Sequence, residues 1–180
     1  MSPAPGQSKF MSHNNKLLSE QLRRTMRLWA SGVVVVSTAY KEQRAGMTVS
    51  SFTSVTIDPP VILVCLNKSA YTLKLIRRSR IFAVSVLGEE HKEISQHFAR
   101  QTPTNVEDRF DNMHAHTVIT GAPILTESIG WLDCEVMNIR EMGTHYIVGG
   151  KVLATEQRED AGRPLLYYDQ NYRRIIDDPH

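Results

Sequence analysis

Apolar and polar positions along the chain form many short runs, and most of these runs have the length and spacing of strands. The first run differs, because apolar residues recur at helical spacing between Ser19, which is a suitable N-cap, and Gly32. We therefore predict a helix of about three turns over residues 19–31. The β-branched run 33–36 follows directly and predicts a buried strand.

The rest of the chain alternates between short strands and a few short helices. After a polar hairpin loop at 41–45, strands are predicted at 47–57, 61–67, 81–87, 131–139, 146–153 and 165–168. Helices are predicted shortly after residue 69 and over 89–99, and a long polar loop is predicted at 100–120. A doubly wound α/β sheet needs a helix after nearly every strand. The pattern therefore predicts a mainly β fold, an antiparallel barrel with peripheral helices.

Length and charge constrain the organisation and the partners. With 180 residues, 41% of them hydrophobic, and a formal net charge of +2, we expect one domain at 17–180 preceded by a mobile polar arm at 1–16. The only basic cluster consists of Arg77, Arg78 and Arg80. Such a short cluster is typical of a helix end, where cations offset the helix dipole, so no nucleic-acid partner is predicted.

Apolar run length and cysteine spacing indicate the compartment. No run approaches the roughly 20 consecutive apolar residues of a membrane span, so no membrane association is predicted. Cys65 and Cys134 lie in apolar runs without CxxC spacing, which favours reduced thiols over a disulfide or a zinc site. We therefore expect a cytoplasmic protein.

The segment from Thr48 to Thr56 carries six hydroxyl side chains in nine positions. Strand alternation leaves neither of its faces cleanly apolar. One interpretation is an exposed edge strand, since Thr favours strands. The other is a strand lining a pocket for a polyhydroxylated or phosphorylated ligand, because hydroxyls both donate and accept hydrogen bonds.

Two later segments favour the second interpretation. In CLNKSAYT, residues 65–72, polar side chains follow a strand and open a helix, so they could surround an anion at the helix N-terminus or simply cap the helix through Ser69 or Thr72. In GTHYIVGGKV, residues 143–152, His145 lies between glycines that would let a ligand approach the backbone closely. A lone histidine is more often an ordinary surface or core residue, and that alternative stays open here.

Six segments in order resemble the short-chain flavin reductase family over about residues 20–176. They are LRRTMRLWASGVVVVST, AGMTVSSFTSVTIDPPVILVCLNKSAYT, DRF, GAPILTESIGWLDCEV, GTHYIVGGKV and PLLYYDQNYRRI. Members of that family are the reductase components of two-component flavin monooxygenases. The resemblance implies an FMN-binding split-barrel fold, an antiparallel Greek-key β-barrel. It also implies a homodimer that uses FMN or FAD with NADH or NADPH and supplies a separate monooxygenase.

The resemblance implies the following site residues. The flavin ring and ribityl chain would contact Thr48, Val49, Ser50 and Ser51 on one strand and Cys65, Leu66 and Asn67 on the next. The flavin phosphate would lie at Ser69 and Thr72, with Lys68 nearby. Arg109, in the segment 108–110, would lie near the flavin or the neighbouring subunit. His145 would contact the nicotinamide nucleotide.

The chain departs from the family pattern at two positions beside the implied nicotinamide site. Thr144 stands where family members commonly have aspartate, and Gly149 stands where a bulky apolar residue is usual. Both departures bear on the choice between NADH and NADPH.

Hydride transfer from a nicotinamide to a flavin requires stacking and close approach rather than a protein acid or base. We therefore predict no acid–base catalytic residue. We also predict no metal site, because His114 and His116 lack further recognisable ligands. Two alternatives remain: a flavoprotein that reduces another acceptor, such as a cobalt corrinoid or a ferric chelate, and a non-catalytic flavin-binding barrel.

Overall fold

The protein is mainly β, with three helices in the part of the chain described. The computed structural model describes residues 5–99 and 109–176, without the side chains of 5–14. The helices are α1 (Pro5–Met26), α2 (Tyr71–Ser79) and α3 (Lys92–Ala99), the last preceded by a 3₁₀ turn at Glu89–His91. The strands are β1 (Ser31–Gly32), β2 (Val34–Tyr40), β3 (Gln43–Val49), β4 (Phe52–Thr56), β5 (Val61–Asn67), β6 (Ile81–Val86), β7 (Ala115–His116), β8 (Ile124–Leu125), β9 (Gly130–Met142), β10 (His145–Gln157), β11 (Leu166–Tyr168) and β12 (Asn171–Arg173).

A seven-stranded antiparallel sheet forms the body of the molecule, in the order β3-β2-β6-β9-β10-β5-β4. The two outermost strands, β3 and β4, are separated along the chain only by Ser50 and Ser51. Two residues cannot span an open seven-stranded sheet, whose strands lie about 4.8 Å apart, so the sheet must curl until its edges meet. The predicted antiparallel β fold is confirmed.

The core lies inside the curled sheet and beneath α3. Alternate residues of β5 point inward, so Ile62, Val64 and Leu66 are buried while their neighbours are half-exposed. A second buried cluster joins β2 to α3 and includes Phe98 and Phe110. Within this second cluster, the Phe98 ring of α3 lies against Gly46 of β3, the strand that leads to the hydroxyl-rich segment.

The first helix differs from its prediction at both ends. It begins at Pro5 and ends at Met26, so most of the predicted arm is helical and the predicted N-cap lies inside the helix. There the Ser19 hydroxyl donates to the carbonyl of Asn15 at 2.8 Å, a bond within the helix that leaves the helix continuous. Residues 1–4 lie outside the described residues, and the predicted mobility of the arm stays a prediction. None of the described helices is long and apolar enough to cross a membrane.

Three further local predictions are wrong. The strand predicted at 47–57 is interrupted, and the loop predicted at 41–45 shrinks to a turn at 41–42 because β3 begins at Gln43. The helix α2 has Ala70 as its N-cap and no side-chain capping bond, so neither Ser69 nor Thr72 caps it. By contrast, β5 occupies the predicted range, and the helix predicted at 89–99 is present as the 3₁₀ turn and α3. Within the long predicted loop, residues 100–108 lie outside the described residues.

Candidate functional site

The hydroxyl-rich segment breaks where the chain passes from one edge of the sheet to the other. Among the described strands, β3 pairs only with β2, ending at Val49, and β4 pairs only with β5, starting at Phe52. Ser50 and Ser51 between them belong to neither strand, and the Ser50 side chain is exposed. We call these two residues the strand break. The break falls where the ladder partner changes from β2 to β5, at a corner of the kind that strands turn by a bulge or a bend.

The Ser51 hydroxyl bonds both backbone polar groups of Cys65. It donates to the Cys65 carbonyl at 2.8 Å and accepts from the Cys65 N–H at 3.1 Å. Phe52 pairs with Val64, so Ser51 faces Cys65 at the next register position. The side chain therefore makes the two hydrogen bonds to Cys65 that the Ser51 backbone would make if the ladder continued.

The Thr48 hydroxyl is also engaged within the protein. It donates to the carbonyl of Ser95 in α3 at 2.6 Å. Ser95 is fully buried, and its own hydroxyl shares a 2.9 Å hydrogen bond with the hydroxyl of Tyr172 in β12. Thr48 thus ties the end of β3 to α3 and, through it, to the C-terminal strands.

The end of β5 meets the β9–β10 hairpin. Asn67 lies opposite His145 in the ladder, and the backbone N–H of Lys68 donates to the Thr144 carbonyl at 3.0 Å. The Asn67 side-chain oxygen accepts from both the N–H and the hydroxyl of Ser69, at 2.9 and 2.8 Å. This turn therefore carries Asn67 and Ser69 directly beside the hairpin that carries His145.

His145 is exposed, and its ring is oriented by its neighbour. Its Nδ1 lies 2.9 Å from the Thr144 hydroxyl. The ring is thus held by a neutral group. The ring nitrogen not bonded to Thr144 remains available at the surface, where it can donate or accept according to the tautomer.

A charged cluster, which sequence reasoning missed, lies at the same junction. Lys68 forms an ion pair with Glu141, and the Tyr146 hydroxyl donates to the other carboxylate oxygen of Glu141 at 2.8 Å. These bonds from Lys68 and Tyr146 lower the pKa of the Glu141 carboxyl. The Arg77 guanidinium lies 5.4 Å from the centre of the Tyr146 ring. We call these four residues the hairpin cluster; the cross-strand pairing of Glu141 with Tyr146 was the signal that could have revealed it.

Three of the implied flavin-binding side chains point into the protein. Val49, Leu66 and Thr72 are 8%, 0% and 4% exposed, and the first two belong to the main core cluster. Only their backbone groups can take part in a surface site.

Arg109 is held on the α3 side of β3. Its Nη1 donates to the Phe98 carbonyl at 2.8 Å and to the Gly46 carbonyl at 3.3 Å, and burial lowers its pKa. The His97 ring makes a 2.9 Å hydrogen bond with the Arg109 carbonyl. Arg109 thus braces β3 two residues before Thr48. Asp108 lies outside the described residues.

The glycines around His145 each have a structural use, and close approach of a ligand to this backbone stays a prediction. Gly143 has φ +57° in the hairpin turn, a conformation that favours glycine. A Cβ at Gly149 would lie 2.8 Å from the side-chain oxygen of Asn138, and one at Gly150 would overlap the Phe82 ring. Both spaces are therefore already filled by other side chains.

The cavity nearest the other end of the β9–β10 hairpin is separate from this junction. It has a volume of about 330 Å³ and is lined by His116, Thr126, Ser128, Trp131 and residues 156–159. His116 packs edge-on against Trp131 with ring centres 6.0 Å apart. Within the described ranges, no three His, Cys, Asp or Glu side chains cluster as metal ligands would.

Comparison with known proteins gives a consistent result. The Flavin reductase like domain model matches residues 26–175. The chain is 34% identical over 157 residues to the FMN reductase (NADH) RutF of Pantoea ananatis, covering 87% of this chain and 81% of that protein.

Two solved structures are similar throughout. The NADH:FAD oxidoreductase SgcE6 of Streptomyces globisporus, in complex with NAD and FAD fragments, has a TM-score of 0.81 at 30% identity over 90% of this chain and 95% of that one. A homologue of nitrilotriacetate monooxygenase component B from Mycobacterium thermoresistibile has a TM-score of 0.83 at 28% identity over 92% of this chain and 93% of that one. The predicted split-barrel fold and the predicted enzyme class are confirmed. This chain belongs to the flavin reductase like family of oxidoreductases.

Proposed function

We propose that this chain reduces FMN or FAD with NADH and releases the reduced flavin to a separate monooxygenase. One observation carries the proposal: the junction of β5 with its neighbours gathers the implied contacts at one end of the sheet. Ser51 is bonded to Cys65 on one side of β5, and Asn67 faces His145 on the other. The implied flavin and nicotinamide contacts are thus adjacent, as hydride transfer requires.

The residues at this junction fit a flavin. Ser50 and Ser69 are exposed hydroxyls, and the Asn67 amide nitrogen can donate, so the ribityl chain and phosphate would meet neutral donors without buried charge. Lys68 adds a cation close by, although its ammonium is paired with Glu141. Val49 and Leu66 would contribute backbone groups alone.

A bound flavin supplies the ring that accepts hydride from the nicotinamide. The chain's own residues then bind and orient. Backbone groups at the strand break would face the polar edge of the ring, and His145, fixed by Thr144, would orient the nicotinamide nucleotide. No side chain in this scheme moves a proton.

We further propose that the protein is a homodimer. The described side chains of α1 are all exposed, and Leu18, Leu22 and Met26 form an apolar stripe at 63%, 59% and 54% exposure. A stripe of this kind is typically covered by another surface, and a second copy is the simplest partner. Sedimentation that shows only monomer at micromolar concentration would contradict this part of the proposal.

Two further parts of the proposal, the separate monooxygenase and the cytoplasmic location, are supported by a similar structure and by the cysteines, respectively. The similar structure from Mycobacterium thermoresistibile is a homologue of a monooxygenase component B, which suggests the same division of labour here. Both cysteines are free thiols, as is usual in a reducing compartment.

Steady-state kinetics test the proposed function. We expect NADH oxidation that depends on added FMN or FAD and saturates with it, and slower oxidation of NADPH. Turnover that needs a metal chelate instead of free flavin would favour reduction of another acceptor. Flavin binding without any NADH or NADPH oxidation would favour the non-catalytic barrel.

A further inference from the structure

We infer that Thr48 and Ser51 are positioning residues that hold the strand break in shape, and that Ser50 is the hydroxyl left to contact the ligand. The inference rests on the proposed function, since the ligand is taken to be the flavin. It revises the simpler expectation that all three hydroxyls bind the flavin directly.

The geometry on the far side of the break supports this role for Ser51. A side chain that donates to one backbone group of Cys65 and accepts from the other has its single proton committed. Cys65 is bonded on the β4 side by this hydroxyl and paired on the β10 side with Ile147. Moving the Ser51 hydroxyl to a ligand would leave the Cys65 N–H and carbonyl without these partners, at a cost comparable to a lost hydrogen bond.

Before the break, the Thr48 side chain also bonds a backbone group, but one in the helix α3. Thr48 bonds the Ser95 carbonyl in α3, and Ser95 is itself fixed by Tyr172. Thr48, shortly before the break, and Ser51, its second residue, are thus tied to two separate parts of the molecule. Ser50 lies between these anchors, with an exposed side chain and a backbone outside both ladders.

The physical consequence concerns the shape of the backbone. A break between two strands has no ladder to define its φ and ψ angles, so it would sample many conformations. The two anchors remove most of that freedom before any ligand binds. A ring placed against the break would then meet backbone groups already in position, which lowers the cost of binding.

The test combines flavin affinity with amide exchange. The variants are Ser51→Ala, Ser51→Thr, Ser50→Ala and, as a matched control, Thr53→Ala. Thr53 belongs to the same hydroxyl run, but it is exposed and its hydroxyl donates to the carbonyl of the next residue, Ser54, at 3.3 Å. Dissociation constants are measured by flavin fluorescence for FMN, riboflavin and lumiflavin; lumiflavin has the ring without the ribityl chain or phosphate. Exchange of the Cys65 amide proton is measured by NMR without flavin.

For Ser51→Ala we expect all three flavins to bind more weakly by the same factor, about tenfold, and the Cys65 amide to exchange about tenfold faster. Ser51→Thr should restore both values, because it keeps the hydroxyl. Ser50→Ala should weaken FMN and riboflavin but not lumiflavin, with Cys65 exchange unchanged. Thr53→Ala should change neither the three flavin dissociation constants nor the exchange rate of the Cys65 amide.

Two results would overturn the inference and leave the proposed function intact. One is a Ser51→Ala variant that loses affinity for FMN and riboflavin but not for lumiflavin, with Cys65 exchange unchanged, which would make Ser51 a direct ribityl contact. The other is normal affinity for all three flavins in that variant. If the wild-type protein binds none of the three flavins, the proposed function fails and the inference falls with it. A melting temperature for each variant shows whether a loss of binding reflects unfolding.

Discussion

The two sides of the candidate site are built by different physical means. On the side of the strand break, Thr48 and Ser51 make neutral hydrogen bonds to backbone groups, and the strand beside them is packed under buried aromatic rings. On the side of the hairpin, Lys68, Glu141 and their neighbours hold the junction through largely exposed charges. Packed and hydrogen-bonded regions resist changes in salt and pH, whereas exposed ion pairs are weak and easily screened. The flavin side should therefore be rigid, and the nicotinamide side adjustable.

The largest expected effect tests whether the two sides differ in packing, by replacing one glycine on each side with alanine. In Gly46→Ala, the new Cβ would lie 2.7 Å from the Phe98 ring, which is almost fully buried and cannot move aside. We expect a loss of about 2–3 kcal/mol in the free energy of unfolding, measured by urea denaturation. Gly143→Ala is the matched change in the hairpin: it meets no atom within 4 Å, and its φ of +57° is the only penalty, so about 1 kcal/mol is expected. Equal losses would show that the two sides are equally packed.

An intermediate effect, on the KM for NADH, is expected from His145 and Thr144 in the β9–β10 hairpin. His145→Ala should raise the KM for NADH by about five- to tenfold while leaving the flavin dissociation constant unchanged, because His145 is taken to orient only the nucleotide. Initial rates at fixed saturating FMN provide the KM, and fluorescence titration provides the flavin affinity. Thr144→Val should give a smaller increase, since it removes only the hydroxyl that orients the ring. An unchanged KM in both variants would contradict the assigned role.

The smallest effect concerns the charge of Glu141. Its pKa is lowered by Lys68 and Tyr146, so the ionised form is favoured in the folded protein. That stabilisation is complete above the ordinary value of 4.5 and is lost as the pH falls through the lower folded pKa. The melting temperature of wild type should therefore exceed that of Glu141→Gln slightly at pH 7, and the difference should vanish in acid. High salt should shrink the difference at pH 7, and a difference that persists in acid would rule out ionisation as its cause.

The local pattern predicted some elements closely and others poorly, for identifiable reasons. β5 was predicted with its observed bounds because its apolar run is bounded on one side by two prolines and on the other by a polar turn. The helix α1 was predicted too short because Ser19 resembles an N-cap, yet its hydroxyl bonds within a helix that continues past it. The strand at 47–57 was predicted as continuous because its composition does not change where its ladder partner does. Strand propensity acts within a segment, whereas the partner is set by the whole sheet.

The sequence by itself determined the class of fold, the family, and the segments that meet at the candidate site. Those features follow from short-range alternation and from the order of motifs along one chain. Only the tertiary structure decided what each polar side chain does. Thr48 is tied to Ser95, and Ser51 to Cys65, because the curled sheet and α3 bring those backbone groups within reach. A hydroxyl can donate and accept in almost any surrounding, so its role depends on neighbours that are distant in sequence.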